Sequence, residues 1–336
     1  MKRIFCLILC ALTALFCCAC GDNNDTPTET VTEAVTEAAT PDEATTATEA
    51  AESDARASLK AFMARFDDTP TVGDKLVYED KDLTVTVHGI NYAPISGPEL
   101  HLTIENRCGK DIAVSAPYAA VNGYMITPEL NIDVPHDKSA NGNLTLPYFS
   151  LAIADITCIR EIEFALRITE ARTYNPLFTT DLISVKTSAK QEDTSPADDS
   201  GQTVYDEDGV KIILKGVSTD RAYSDGAEMM VCIFNDTDRN IAVRTDDITV
   251  NGYEMTSSVL NRTVLSGHRA ADAVTFYKQE LKEYGIDTID SVKVAFEIKD
   301  ADTWEVLDST DMINVELKGP EPPTISTEAS TEKPTE

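Results

Sequence analysis

Basic residues are scarce in this sequence. Its 336 residues include 28 Lys and Arg against 58 Asp and Glu, which gives a formal net charge of −30 and a pI of about 4.3. Binding to nucleic acid, or lying flat on an anionic membrane, requires an excess of Lys and Arg because both surfaces are negatively charged. The composition therefore excludes nucleic acid as a partner and predicts a surface that repels its own copies in water.

The chain also lacks the motifs of common metal and catalytic sites. Five of its eight cysteines lie in the first twenty residues, and the spacing of Cys108, Cys158 and Cys232 matches no metal site. No Gly-rich phosphate loop, Gly-x-Ser-x-Gly elbow or zinc-ligand spacing of histidines occurs. The histidines are His88, His101, His136 and His268. We therefore expect no metal, no cofactor and no enzyme activity. A hydrolase acting on an envelope substrate is the least favoured alternative, and a Cys108–Cys158 disulfide stays open.

The N-terminus has the layout of an export signal. Lys2 and Arg3 precede an apolar run from Ile4 to Phe16, which falls short of the roughly 20 residues of a spanning helix. Residues 15–21, Leu-Phe-Cys-Cys-Ala-Cys-Gly, resemble the lipobox of bacterial lipoproteins, with Cys in place of the favoured Leu at position 17. The resemblance implies a signal peptide over 1–19 and a lipid such as palmitate on Cys20, with Cys18 as the alternative. It implies a lipid-anchored protein on the extracellular face of the cell membrane.

Three polar segments separate or flank the parts that can fold. Residues 20–54 consist mostly of Thr, Glu and Ala without Lys or Arg, residues 188–202 are rich in Ser, Asp and Gly, and residues 319–336 are rich in Pro, Thr and Glu. Such segments bury too little apolar surface to offset the entropy of ordering. We expect a disordered tether, a linker and a disordered tail. Glycosylation of their threonines stays open.

An internal duplication is the most informative feature. Short blocks recur in the same order at a spacing of about 129 residues. Matching pairs are Ile112-Ala113-Val114 with Ile241-Ala242-Val243, Val121-Asn122-Gly123-Tyr124 with Val250-Asn251-Gly252-Tyr253, and Asn106 with Asn235. The blocks define repeat 1, residues 72–187, and repeat 2, residues 203–318, each of normal domain size. We expect the two repeats to fold separately.

Each repeat has the pattern of about seven short strands. Apolar residues alternate with polar ones, as in Leu100, Leu102 and Ile104, and Asn-Gly pairs sit between short apolar runs where type I′ hairpin turns form. The predicted fold is all-β, two antiparallel sandwiches with one short helix each, near Leu151 and near residues 280–283. The order of these blocks resembles the immunoglobulin-like domains of unknown function in surface lipoproteins of Gram-positive bacteria. The resemblance implies tandem Ig-like domains and transfers no active site.

A helix is predicted before repeat 1, over residues 55–68. Leu59, Phe62, Met63 and Phe66 follow the i, i+3, i+4, i+7 spacing of an apolar stripe. We expect the stripe to dock on repeat 1, with a partner or the membrane surface as the alternative.

Two further features are candidate sites. Clustered carboxylates at 206–209 and 79–82 suit a hard cation such as calcium, but Lys81 interrupts the first-copy cluster and an ordinary turn is the better interpretation. In repeat 2, the strand positions that face outward are Met230, Cys232 and Phe234, where repeat 1 has His101, Thr103 and Glu105. A strand that is apolar on both sides is usually covered on both, so these three residues are a possible partner face.

The sequence thus predicts a non-catalytic surface binding or adhesion-type module. Its partners would be the membrane, through the lipidated N-terminus, and a surface protein or a glycan. A structural or accessory envelope protein is the alternative function.

Overall fold

The computed structural model describes residues 57–190, 199–218 and 226–317. The expected signal peptide, Cys20, the tether, the tail and most of the linker lie outside these residues. The described part contains three helices: α1 over 57–63, α2 (Tyr148–Ile153) and α3 (Lys278–Glu283). None of these is long and apolar enough to cross a membrane.

The rest of the described structure is built from short β-strands. Repeat 1 contains β1 Lys75–Glu79, β2 Leu83–Asn91, β3 Glu99–Asn106, β4 Ile112–Ser115, β5 Ala119–Val121, β6 Tyr124–Ile126, β7 Asn131–Val134, β8 Ser139–Thr145, β9 Glu161–Phe164, β10 Arg167–Glu170, β11 Pro176–Thr179 and β12 Ile183–Lys186. Repeat 2 contains β13 Gln202–Glu207, β14 Val210–Ser218, β15 Gly226–Asn235, β16 Ile241–Val250, β17 Tyr253–Glu254, β18 Asn261–Val264, β19 Arg269–Tyr277, β20 Val292–Asp300, β21 Val306–Ser309 and β22 Ile313–Asn314. The strands are more numerous than expected because several long ones are interrupted.

The two repeats share the same order of strands in their sheets. The sheet β1-β2-β3-β8 of repeat 1 corresponds to β13-β14-β15-β19 of repeat 2. The order β7-β4-β10-β11 corresponds to β18-β16-β20-β21. The single strand β16 of repeat 2 corresponds to two strands of repeat 1, β4 and β5. Pro117 lies between these two strands, and it has no backbone N–H to donate to a neighbouring strand. The duplication read from the sequence is therefore a duplication of the fold.

Both Asn-Gly hairpins adopt the predicted turn. Asn122 and Gly123 have φ of 52° and 82°, and Asn251 and Gly252 have φ of 50° and 86°. Positive φ at both central residues is the requirement of a type I′ turn, and Val121 pairs directly with Tyr124 across the first one.

Strand alternation places the core as predicted. Leu100, Leu102 and Ile104 in β3 are at most 1% exposed, and their counterparts in β15 are Met229, Val231 and Ile233, at 0%. The described residues form an all-β structure whose sheets close around two buried apolar clusters, one in each repeat.

Helix α1 packs on repeat 1. The helix ends at residue 63, earlier than predicted, because the chain becomes extended at Asp67, which forms an isolated parallel β-bridge with Cys158. Phe62 is 2% exposed within the core of repeat 1, and the ring of Phe66 lies 5.2 Å from that of Tyr148. The apolar stripe thus packs against repeat 1, with Phe62 buried and Leu59, Met63 and Phe66 partly buried.

A single eight-stranded sheet runs through both repeats, in the order β12-β9-β5-β6-β19-β15-β14-β13. The link is a short parallel pairing in which Tyr124 of β6 lies opposite Arg269 of β19, and Met125 lies opposite Ala270. The sequence pattern did not indicate this link.

The buried side of the sheet changes at the link. Val121, on the Tyr124 side, belongs to the core of repeat 1, whereas Met125 and Ala120 belong to the core of repeat 2. One side of the sheet therefore covers the first core and the other side covers the second. Each repeat keeps its own cluster, but repeat 1 supplies residues to the second one.

Polar contacts fasten the junction. The Arg262 guanidinium donates to the carbonyl of Met125 at 2.6 Å and to Thr127 Oγ1 at 2.9 Å. Arg262 also lies 3.7 Å from the carboxylate of Asp272. Burial lowers the pKa of Arg262, although the negative charge of Asp272 acts in the opposite direction. His268 Nε2 lies 3.1 Å from a carboxylate oxygen of Glu163 in repeat 1. These contacts tie β18 and β19 to repeat 1.

Candidate functional site: the open faces of the sheets

The residues common to both repeats are structural. Asn106 and Asn235 are 0% exposed, and each donates its amide to strand carbonyls, those of Val134 and Val264 at 2.9 Å. The same amide oxygens accept backbone N–H groups, from Cys108 and Thr237. The side chains of both asparagines therefore bond to the backbone, which is a structural role.

The acidic turn of repeat 1 uses the carboxylate of Asp80 internally. Asp80 accepts the N–H groups of Asp82 and Leu83 and the hydroxyl of Tyr78. Burial works to raise the pKa of Asp80, but these hydrogen bonds outweigh it and the pKa lies below 3.8. Burial, followed by the bond to Asp80, raises the pKa of Tyr78 to about 12. Within the described ranges no group of three or more His, Cys, Asp or Glu side chains is placed to hold a metal ion.

The three cysteines of the repeats lie apart. Among residues 57–190, 199–218 and 226–317, no disulfide joins Cys108, Cys158 or Cys232. Cys108 Sγ lies 3.5 Å from the carbonyl of Asp82, and Cys158 Sγ lies 3.6 Å from Asp67.

The outer face of β2-β3-β8 carries a row of polar side chains. His88 Nδ1 lies 3.0 Å from Asp74, its Nε2 lies 2.7 Å from Thr103 Oγ1, and Thr103 donates to Asn141. Acid, imidazole and hydroxyl in this order are the parts of a catalytic triad. Here they lie on an open sheet face, with the side chain of Asp74 80% exposed and the hydroxyl proton directed to Asn141. We interpret the row as a cross-strand hydrogen-bond ladder.

The equivalent face of repeat 2 is apolar, as the sequence indicated. Met230, Cys232 and Phe234 point outward and are half-buried. The Arg269 guanidinium lies between the rings of Phe234 and Tyr124, 5.9 Å and 5.8 Å from their centres. The neighbouring Ile213 is 0% exposed. The face is thus partly covered by the chain itself, and its role as a partner face stays a prediction.

A groove that the sequence did not reveal lies on the outer face of β4, β7, β10 and β11. We call it the repeat 1 groove; it is open to solvent, and its volume is about 650 Å³. Its lining residues are Ala113, Val114, Ser115, Asn131, Arg167, Thr169, Tyr174 and Pro176.

Tyr174 stands at the tip of the β10–β11 hairpin in an unusual backbone conformation. Its φ is 56°, its side chain is 72% exposed, and its N–H donates to the carbonyl of Glu170 at 2.9 Å. Trp304, the one tryptophan of the sequence, occupies the same place in repeat 2, with φ of 62° and 56% exposure. A bulky residue in this region costs of order 1–3 kcal/mol, and such strain is concentrated at functional sites. Both copies thus present an aromatic ring to solvent where Gly or Asn would fit better.

The floor of the groove differs between the repeats in how its charged side chains are paired. Arg167 lies opposite Ser115, which lies opposite Asn131, so the three side chains form a row across β10, β4 and β7. Within the described part of the chain, the Arg167 guanidinium has no hydrogen bond or ion pair.

The charged side chains of the corresponding row in repeat 2 are paired with one another. Glu297 lies opposite Arg244, with Nε at 3.3 Å from its carboxylate, and Lys299 Nζ lies 3.1 Å from the same oxygen. Ser115 and Thr169 stand where repeat 2 has Arg244 and Lys299. The repeat 1 groove therefore combines an exposed aromatic ring, an unpaired cation, an amide and hydroxyl groups.

Comparisons with known proteins identify no family. No protein-family model and no curated protein matches the sequence. Among solved structures, the YadV chaperone is 12% identical with a TM-score of 0.21, over 65% of this chain and 92% of that one. A DUF4785 family protein from Legionella pneumophila is 12% identical with a TM-score of 0.23, over 70% and 55%. A protein of unknown function from Porphyromonas gingivalis is 11% identical with a TM-score of 0.19, over 71% and 92%. These TM-scores are too low to support an argument about fold family or function.

Proposed function

We propose that this chain is a membrane-anchored extracellular lipoprotein that acts as a non-catalytic surface binding module. Two tandem Ig-like domains would be held away from the membrane by the acidic tether, with the lipid on Cys20. The repeat 1 groove would be the ligand site. The observation that carries the proposal is that the groove is lined both by the exposed ring of Tyr174 and by Arg167, whose guanidinium has no ion pair or hydrogen bond within the described residues.

The contrast between a common framework and differing surfaces supports binding. Strand pairing, turns and buried asparagines agree between the repeats, whereas the groove and the outer sheet face differ in charge and polarity. Function in such scaffolds resides in the surface residues that the framework presents.

The shared sheet at the junction favours the second candidate, a structural or accessory envelope protein. A sheet that continues from one repeat into the other would hold them in one orientation, which suits a spacer within a larger assembly. In that case the groove would be dispensable.

Retention on cell-envelope material separates the two functions. The mature chain, purified with Cys20→Ser to avoid lipid, is mixed with envelopes of the source cells and sedimented. We expect retention of the wild type, at least tenfold weaker retention of Tyr174→Ala, and no change for the matched control Trp304→Ala. Equal retention of all three proteins would favour the accessory role.

Anchoring is tested separately in cells. Radiolabelled palmitate should enter the wild type and not Cys20→Ala, because the acyl chain needs the thiol. Equal labelling of both would contradict the assignment of Cys20.

A further inference from the structure

We propose that the repeat 1 groove binds an anionic carbohydrate, with a sugar ring against Tyr174 and its acidic group at Arg167. The inference rests on the proposed function, because it names the ligand of the same groove. A uronic acid or another acidic sugar has the required chemistry.

The charge of the ligand follows from Arg167. In repeat 2 the same floor position is Glu297, and two cations from the same chain neutralise it. In repeat 1 the position is a cation and the neighbouring positions are Ser115 and Thr169, which carry no charge. A guanidinium pairs best with a carboxylate or phosphate, through two parallel hydrogen bonds. An acidic ligand would supply the counter-charge that repeat 2 supplies internally.

Neighbouring acidic groups leave Arg167 available. Glu170, at the end of the same strand, is held by Lys110 at 2.6 Å and by the hydroxyl of Thr173 at 2.7 Å. Asp133 shares the outer face through its pairing with Ala113, but it lies beyond salt-bridge distance of Arg167.

The remaining lining residues favour a sugar over a peptide. The floor of the groove is the face of the central strands β4 and β10, whose N–H and C=O groups already bond to strands on both sides, so a peptide backbone lying on the floor would find few main-chain partners. Tyr174 instead offers an apolar ring face, and Asn131, Ser115 and Thr169 offer amide and hydroxyl groups. A sugar ring has the complementary surfaces, an apolar C–H face and a rim of hydroxyls.

The test compares acidic oligosaccharides with their neutral forms. The mature Cys20→Ser chain is screened on an array of paired uronic-acid oligosaccharides and their carboxyl-reduced counterparts, and the best pair is titrated by calorimetry. We expect the acidic member to bind at least tenfold more tightly. Arg167→Gln should remove that preference, because a charge-assisted hydrogen bond corresponds to roughly a tenfold to hundredfold change in affinity. Tyr174→Ala should weaken both members of the pair.

A double variant tests the groove without risking the fold. Ser115→Arg with Arg167→Glu installs the ion pair that repeat 2 already accommodates in the same strand register. We expect this variant to fold and to lose the acidic oligosaccharide. Trp304→Ala, in repeat 2, should bind as the wild type does.

The outcomes distinguish the ligand from the function. Equal binding of acidic and neutral members, unaffected by Arg167→Gln, would overturn the anionic class and leave the binding function standing. If no oligosaccharide binds while envelope retention still requires Tyr174, the ligand is a protein or peptide and the inference is wrong. If Tyr174→Ala changes neither measurement, the groove is not a binding site and the proposed function fails with it.

Discussion

Replacing Arg262 should uncouple the two repeats. In repeat 1 the position of Arg262 is occupied by Ile132, and the position of Asp272 is occupied by Gly142, over which Ile132 packs. Arg262→Ile removes two hydrogen bonds from a charged donor to repeat 1 and leaves Asp272 without its nearest cation. Breaking a buried pair costs about 3–5 kcal/mol, and we expect the low end, about 3 kcal/mol, because the Asp272 side chain is 28% exposed.

Two optical probes can detect the uncoupling. Trp304 fluorescence reports repeat 2, whereas far-ultraviolet circular dichroism reports both repeats during unfolding in urea. The wild type should show coincident transitions, because Met125 and Ala120 of repeat 1 belong to the core of repeat 2. Arg262→Ile should separate the transitions and lower the stability of repeat 2.

The matched control adds Asp272→Gly. Arg262→Ile with Asp272→Gly reproduces the pair found in repeat 1, so it should recover the part of the loss that is internal to repeat 2. The transitions should stay separate, because the bonds to Met125 and Thr127 remain absent. A loss below about 0.5 kcal/mol in the single variant, with coincident transitions, would refute this reasoning.

Two further predictions concern acid stability and the apolar face. The pKa of Asp80 is lowered in the folded state, so the contribution of its carboxylate to stability is present at neutral pH and is lost as the pH falls below 3.8. The Asp80→Asn variant should therefore be less stable than the wild type at neutral pH. It should also lose less stability on acidification, as measured by circular dichroism. The double variant Met230→Thr with Phe234→Glu gives the apolar outer face of repeat 2 the polarity of the equivalent face of repeat 1. A folded variant that loses a partner in a pull-down would support the partner face. Unfolding of the variant would instead show that the face is internal packing.

The sequence was sufficient for the features that depend on local pattern. Alternation fixed which residues of β3 and β15 are buried, because side chains in a strand alternate strictly between its two faces. The Asn-Gly turns followed from the need for positive φ at both positions. The short helices and the duplication were also predictable.

The junction and the groove were not predictable in this way. The link between β6 and β19 is a pairing of two residues on each side, far apart in sequence, and no periodicity encodes it. Arg167 becomes unusual only when strand register shows that its neighbours are Ser115 and Thr169. The alignment of Tyr174 with Trp304 was a usable signal, but its meaning depends on the exposed, positive-φ conformation.

Cleavage of the linker tests the shared sheet most directly. A protease site placed within residues 191–198 of the mature Cys20→Ser chain allows one cut between the repeats without touching the described strands. After cleavage we expect the halves to elute together from size exclusion at the mass of the intact chain, held by the β6–β19 pairing and Arg262. They should come apart in the Arg262→Ile variant. Two folded halves that elute separately from the cleaved wild type would contradict the continuous sheet.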